Sequence, residues 1–176
     1  MIEKSRKKVN QLLAEAGFSN GERDCIMGYF NELGYFEAPA SSTYHLSYPG
    51  GLAEHSINVC EELVRLTKNN EIQWEHTRSP YLVGLFHDLC KSDMYTGQCG
   101  CYEYNDGALL NGHGEKSAML TQLLIQLTEE EMLCIRYHMG AYYKEDWSGY
   151  DAAIRKYPAV LWTHVADMIA SKLIEK

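Results

Sequence analysis

The stretch LVGLFHDLCK, residues 82–91, decides how this chain is read. His87 and Asp88 stand side by side in a run otherwise apolar enough to be core, with Lys91 three positions later. Burying an imidazole or a carboxylate without partners is expensive. The compensation has to come from elsewhere in the sequence.

Around this stretch the periodicity is helical almost throughout. The pattern predicts helices over 2–16, ending at Gly17, and over 20–33, with Asn20 as N-cap and Gly34 as the stop. Residues 36–50 read as an irregular connection. A third helix carries GLAEHSINVCEELVRLTK, where Leu52, Val59, Leu63 and Leu66 keep helical spacing. Ser79-Pro80 gives an N-cap and a first-position proline for the helix that bears His87 and Asp88. Further helices are expected over 113–127, 129–138 and 158–174, with Thr128 and Glu131 forming a capping box. A short β-hairpin is expected within 95–110, turning at Asn105-Asp106-Gly107. The stretch GAYYKEDWSGYD reads as a flap or a plain surface loop. The fold class is all-α.

The 176 residues are 45% apolar and 23% charged, the balance of one soluble domain with a sizeable core, and no linker divides them. The expected organisation is a helical pair over 1–35 packed on a core over 50–174. No apolar run is long enough for a bilayer, and MIEKSRKKVNQ lacks the apolar segment of a signal peptide. A cytoplasmic location without a membrane partner is the expectation. A net charge of −8 argues against broad binding of long nucleic acid. Small anionic substrates stay compatible with it, because a bound cation reverses the local field. The six cysteines are scattered, and Cys99-Gly-Cys101 lacks the second pair of a structural zinc site.

Compensation for the His-Asp pair is found among the seven histidines. His55 shares the apolar stripe of the third helix. His138 falls in the last turn of its helix. In the last helix Val160, His164, Asp167 and Ser171 share a face. One histidine on an apolar face is ordinarily a satisfied core residue. Several helices each turning a His or Asp inward are better explained by a metal ion, for which imidazole and carboxylate are natural ligands.

The order His55, His87-Asp88, His113, His138, Asp167 resembles the H…HD…H…H…D signature of the HD-domain superfamily, metal-dependent phosphohydrolases built as an HD-domain helical bundle. GGLAEH, LFHDLCK, GHGEKS, RYHMG and HVADMIAS look like that family over about 50–171, although Cys90 stands where glycine is usual. The nearest likeness is to the HD modules of bacterial 3′-to-5′ exoribonucleases, whose usual separate OB-type nucleic-acid domain is not expected within 176 residues.

The resemblance implies two divalent metal ions, drawn from Fe, Mn, Mg, Zn, Ni or Co. His55, His87, Asp88 and Asp167 would hold one, His113 and His138 the other, with Asp88 bridging; a single ion needs fewer of these ligands. It implies water activation for attack on a small phosphorylated substrate: a nucleotide, cyclic dinucleotide or short oligonucleotide. Lys91 would contact a phosphate oxygen, or else pair with Asp88. Glu115 would accept a proton, or else be an ordinary first-turn acid. His45 would lie at the substrate mouth, or else be merely exposed, and His164 would face the substrate or support a ligand. The chain's 13 tyrosines, among them Tyr44, Tyr48, Tyr142 and Tyr143, could stack on a base. HD-fold diiron oxygenases use much the same ligands, and a ligand-sensing domain could keep them. The residues name neither the substrate nor the oligomeric state.

Overall fold

The apolar run does form a helix, but it stops one residue before the His-Asp pair. In the computed structural model, which describes residues 1–44, 46–98, 101–140 and 146–175, the elements run in order α1 (Ile2–Glu15), α2 (Asn20–Leu33), α3 (Gly51–Asn69) and α4 (Ser79–Phe86). A 3₁₀ turn (Leu89–Ser92), strands β1 (Tyr95–Gln98) and β2 (Cys101–Tyr104), α5 (Gly114–Gln122) and α6 (Glu129–Arg136) follow. The chain then forms α7 (Trp147–Lys156), α8 (Ala159–Ile169) and a π-turn (Ala170–Ile174). The fold is mostly helical with one small antiparallel sheet. No helix among the described residues is long and apolar enough to cross a membrane.

Helix α3 is the spine. It packs against α1, α4, α8 and the π-turn, while α6 closes the far side against α4, α5 and α8. Beneath α4 lies an aromatic knot: Phe30 stacks on Tyr35 at 4.1 Å between centroids and meets Phe86 at 4.7 Å. The Tyr35 hydroxyl donates to the Leu85 carbonyl at 3.1 Å, which satisfies a wholly buried polar group. The segment immediately before His87 is thereby held from below.

Two glycines set the distances between helices. A Cβ at position 84 would lie 2.4 Å from Cys60 Cα, so Gly84 lets α4 press against the backbone of α3. A Cβ at position 114 would lie 2.2 Å from the Arg136 carbonyl oxygen, so Gly114 lets α5 start against the end of α6. The first contact brings His87 toward His55; the second brings His113 toward His138. The room left by the missing side chain at Gly84 is taken by Cys60.

Several expectations shift. Ser19, not Asn20, caps α2, in a capping box with Glu22. Ser79 lies inside α4 rather than capping it, because its hydroxyl donates to Glu131 at 2.8 Å. The Thr128–Glu131 capping box forms as expected. The hairpin closes at Gln98↔Cys101, not at Asn105-Asp106-Gly107. Asn105 is spent otherwise: its side chain accepts from Gly107 N at 3.1 Å and donates to the Asp93 carbonyl at 2.9 Å. Part of the expected flap is helix α7, started by Asp146, whose carboxylate accepts from Gly149 N at 3.0 Å. His45, Cys99, Tyr142 and Tyr143 lie outside the described residues.

Replacing Gly84 with alanine is expected to destabilise the protein by about 1–3 kcal/mol through overpacking of α3 against α4. Urea unfolding measures this, and a midpoint equal to wild type would show that the two helices separate without cost.

Candidate metal centre

Each polar side chain of the centre sits at the end of an element or on a face turned inward. His55 comes from the middle of α3, and Asp167 from α8. His87 is the C-cap of α4, and Asp88 leaves the helix with φ −107°. The adjacent pair is therefore splayed by a helix break and not by helical rotation alone. His113 directly precedes α5, and His138 follows α6 by one residue beyond its C-cap. All six are buried or nearly so.

Asp88 is the hub. Its Oδ2 lies 3.3 Å from His55 Nε2, 3.5 Å from His87 Nε2 and 2.7 Å from Lys91 Nζ. Its Oδ1 lies 2.9 Å from His113 Nε2 and 3.3 Å from His138 Nε2. Asp167 Oδ1 approaches His55 Nε2 at 3.3 Å. Two donor groups result, His55/His87/Asp88 and Asp88/His113/His138, sharing the one carboxylate; within each, the ligand atoms lie within 4.8 Å of one another.

The outward nitrogens decide the tautomers. His87 Nδ1 donates to the Gly84 carbonyl at 2.9 Å, and His138 Nδ1 to the Ile135 carbonyl at 2.7 Å. A carbonyl has no proton to give, so both rings carry hydrogen on Nδ1. His55 Nδ1 faces the Glu175 carboxylate at 3.0 and 3.1 Å, and His113 Nδ1 faces Cys90 Sγ at 3.3 Å. With Nδ1 protonated, a neutral ring presents a lone pair on Nε2, and the His55 and His87 Nε2 atoms stand 3.3 Å apart beside a carboxylate. His138 Nε2 and Asp88 Oδ1 are buried without a directed hydrogen bond. Converging lone pairs with outward N–H groups anchored on carbonyls and a carboxylate are the pattern of metal-binding histidines. The donor set fits a metal ion.

Charge is strongly perturbed here. Burial pushes the Asp88 carboxyl up, but Lys91, His87 and His113 hold it well below the usual carboxylate range. Burial would lower Lys91, and Asp88 raises it above its ordinary value instead. Burial lowers His113, yet Cys90 and Asp88 lift it to about 9. His55 is likewise raised, burial being outweighed by Asp167, Asp88 and Glu175. Positive charge is stabilised wherever these groups meet, whether proton or metal supplies it.

The centre forms the floor of a cavity of about 1000 Å³. Lys91, Lys116, His164, Tyr95, Tyr104 and Trp147 are among its lining residues. His164 Nδ1 donates to the His138 carbonyl at 2.7 Å, which ties the cavity wall to a ligand residue. Lys116 pairs with Asp93. Glu115 stands in the first turn of α5, where its carboxylate faces Arg136 Nε at 3.7 Å. The residues missed by sequence reasoning are the orienting ones. Cys90, which the sequence marks only as standing where glycine is usual, touches a candidate ligand, and Glu175 carried no local signal.

Comparison with models of known protein families, with curated proteins and with solved structures finds no match. The chemistry of the donor set decides what the centre can do.

Chelator-treated protein is expected to gain stability when Mn²⁺ or Zn²⁺ is added. At a hundred times the dissociation constant, linkage supplies about 2.7 kcal/mol. That corresponds to roughly 5–10 °C in thermal midpoint for a chain of this size. An unchanged midpoint with both ions would remove the metal from this cluster.

Proposed function

We propose that this chain is an HD-type metal-dependent phosphohydrolase, with His55, His87, Asp88 and Asp167 holding one divalent ion, His113 and His138 the other, and Asp88 bridging. One observation carries the reading: a single buried carboxylate divides its two oxygens between two pairs of imidazoles at the floor of an open cavity. An ordinary buried aspartate needs one partner; this one has the environment of a bridge.

Divalent ions held by these residues would lower the pKa of a bound water and offset the negative charge of a phosphoryl group. The protein's own residues supply the rest. Lys91 keeps its proton because Asp88 faces it, and it lines the cavity as a fixed positive charge suited to a phosphate oxygen. His164 is held by the His138 carbonyl and lines the same wall. Tyr44, Tyr104 and Trp147 line the cavity and keep 83%, 68% and 68% of their surface exposed, leaving aromatic faces available to a nucleobase. This combination supports a nucleotide, a cyclic dinucleotide or a short oligonucleotide as substrate. The cavity, at about 1000 Å³, is at the upper end of small-molecule sites.

The test is a turnover screen of Mn²⁺-loaded protein against phosphomonoesters, nucleotides, cyclic dinucleotides and short oligonucleotides, with and without O₂. Phosphoester cleavage without O₂ is the expected result. Obligatory O₂ consumption with no phosphoester cleaved would move the site to the oxygenase class. Asp88→Asn is expected to lower kcat/KM on the best substrate by on the order of 10³-fold, about 4 kcal/mol of transition-state stabilisation. Wild-type turnover in that variant would exclude Asp88 from the reaction.

A further inference from the structure

The side chain of Glu175 is 1% exposed, while its neighbours Leu173 and Ile174 keep 64% and 51% of their surface in solvent. A carboxylate is buried and two aliphatic residues are left out, the reverse of ordinary burial. Something specific holds the acid inside. Its Oε1 lies 3.0 Å from His55 Nδ1 and accepts from Asn58 Nδ2 at 2.9 Å, and its Oε2 lies 3.1 Å from the same imidazole nitrogen.

The backbone bends its rules to bring Glu175 there. Glu175 follows Asp167 by eight residues, so a continuous α-helix would place it about 80° round the axis from Asp167. Instead the chain widens into the π-turn at Ala170–Ile174, and Glu175 N bonds back to the Ala170 carbonyl at 3.0 Å, five residues away. The wider turn advances by a smaller angle per residue and returns Glu175 toward the face of Asp167. Both carboxylates then grip one ring from opposite sides, Asp167 Oδ1 at Nε2 and Glu175 Oε1 at Nδ1. Asn58, one turn beyond His55 on α3, locks the acid from the same helix.

We infer that Glu175 is a positioning residue for the metal centre: it fixes the tautomer and orientation of His55 so that Nε2 faces the ion, and the π-turn exists to deliver it. The inference rests on the reading of the cluster as a metal site. The three other rings are oriented by backbone carbonyls or by Cys90, so His55 is the one candidate ligand among the described residues whose outward nitrogen faces a carboxylate. A carboxylate on the far nitrogen raises the basicity of the ligating one.

The experiment titrates metal-free protein with Mn²⁺ and with Zn²⁺ in four forms: wild type, Glu175→Ala, Glu175→Gln and the exposed control Glu32→Gln. Circular dichroism and thermal unfolding of the metal-free forms are recorded alongside. Glu175→Ala is expected to bind about ten- to a hundredfold more weakly. Glu175→Gln should recover most of that loss, because its amide oxygen can accept from both His55 and Asn58 where Oε1 now does. The control should match wild type. Wild-type affinity in Glu175→Ala would overturn the positioning role and leave the metal centre standing. So would equal losses in the Ala and Gln forms, which would make the residue a distant charge, or a loss that only tracks a fall in folded fraction. A wild-type protein that binds neither ion would instead sink the metal reading itself.

Discussion

The structure turns on the placement of Asp88, a carboxylate 2% exposed with an ammonium and four imidazoles around it. Three carboxylates, Asp88, Asp167 and Glu175, are buried here, and carboxylates outnumber the ammonium of Lys91 among the described residues of the cluster. An apolar interior does not tolerate that excess. Neutral imidazoles add no charge, so the balance comes from protons on the rings or from a divalent cation among them. The upward shift of His55 and His113 expresses the first solution. The inward lone pairs, with outward N–H groups already engaged, are prepared for the second. Either way the geometry of the rings has to be held by the helices that carry them.

Holding still is a matter of backbone contact. Imidazoles have short reach, and two of them meet across a helix pair only where the backbones approach closely. Gly84 against Cys60 and Gly114 against the Arg136 carbonyl supply two such approaches, each next to one ring pair. The aromatic knot of Phe30, Tyr35 and Phe86 braces the first from below, with Tyr35 bonded to the residue two before His87. Core packing and site geometry are thus one system here. Side chains that touch no candidate ligand still set ligand distances.

Much of this was legible in the chain itself. The inward histidines and Asp167 lay on apolar helical stripes or at helix ends, and the order of the polar residues carried the resemblance on which the expectation of a shared centre rested. Boundaries were less legible because side chains competed for roles: Ser79 reads as a cap until Glu131 claims its hydroxyl. Asn105-Asp106-Gly107 reads as a hairpin turn until Asn105 is found bonded to Asp93. Glu115, which spacing alone leaves between a proton acceptor and a first-turn acid, stands in the first turn of α5 and faces Arg136. Cys90 was legible only as a departure from the usual glycine: a thiol in an apolar run looks like filling, and only the fold reveals the imidazole against it.

Glu175 marks the limit of such reading. Helical periodicity assigns a face to each residue by assuming a constant turn, and the π-turn breaks that assumption at the point where the acid is delivered. From sequence, an acid after Leu173-Ile174 reads as solvated, and nothing nearby says otherwise. The information lies in the partner helix, where Asn58 is spaced one turn from His55 and offers the second donor. A residue that orients a ligand is recognised by what stands across from it. Local pattern therefore finds residues that could bind a metal sooner than those that make them able to.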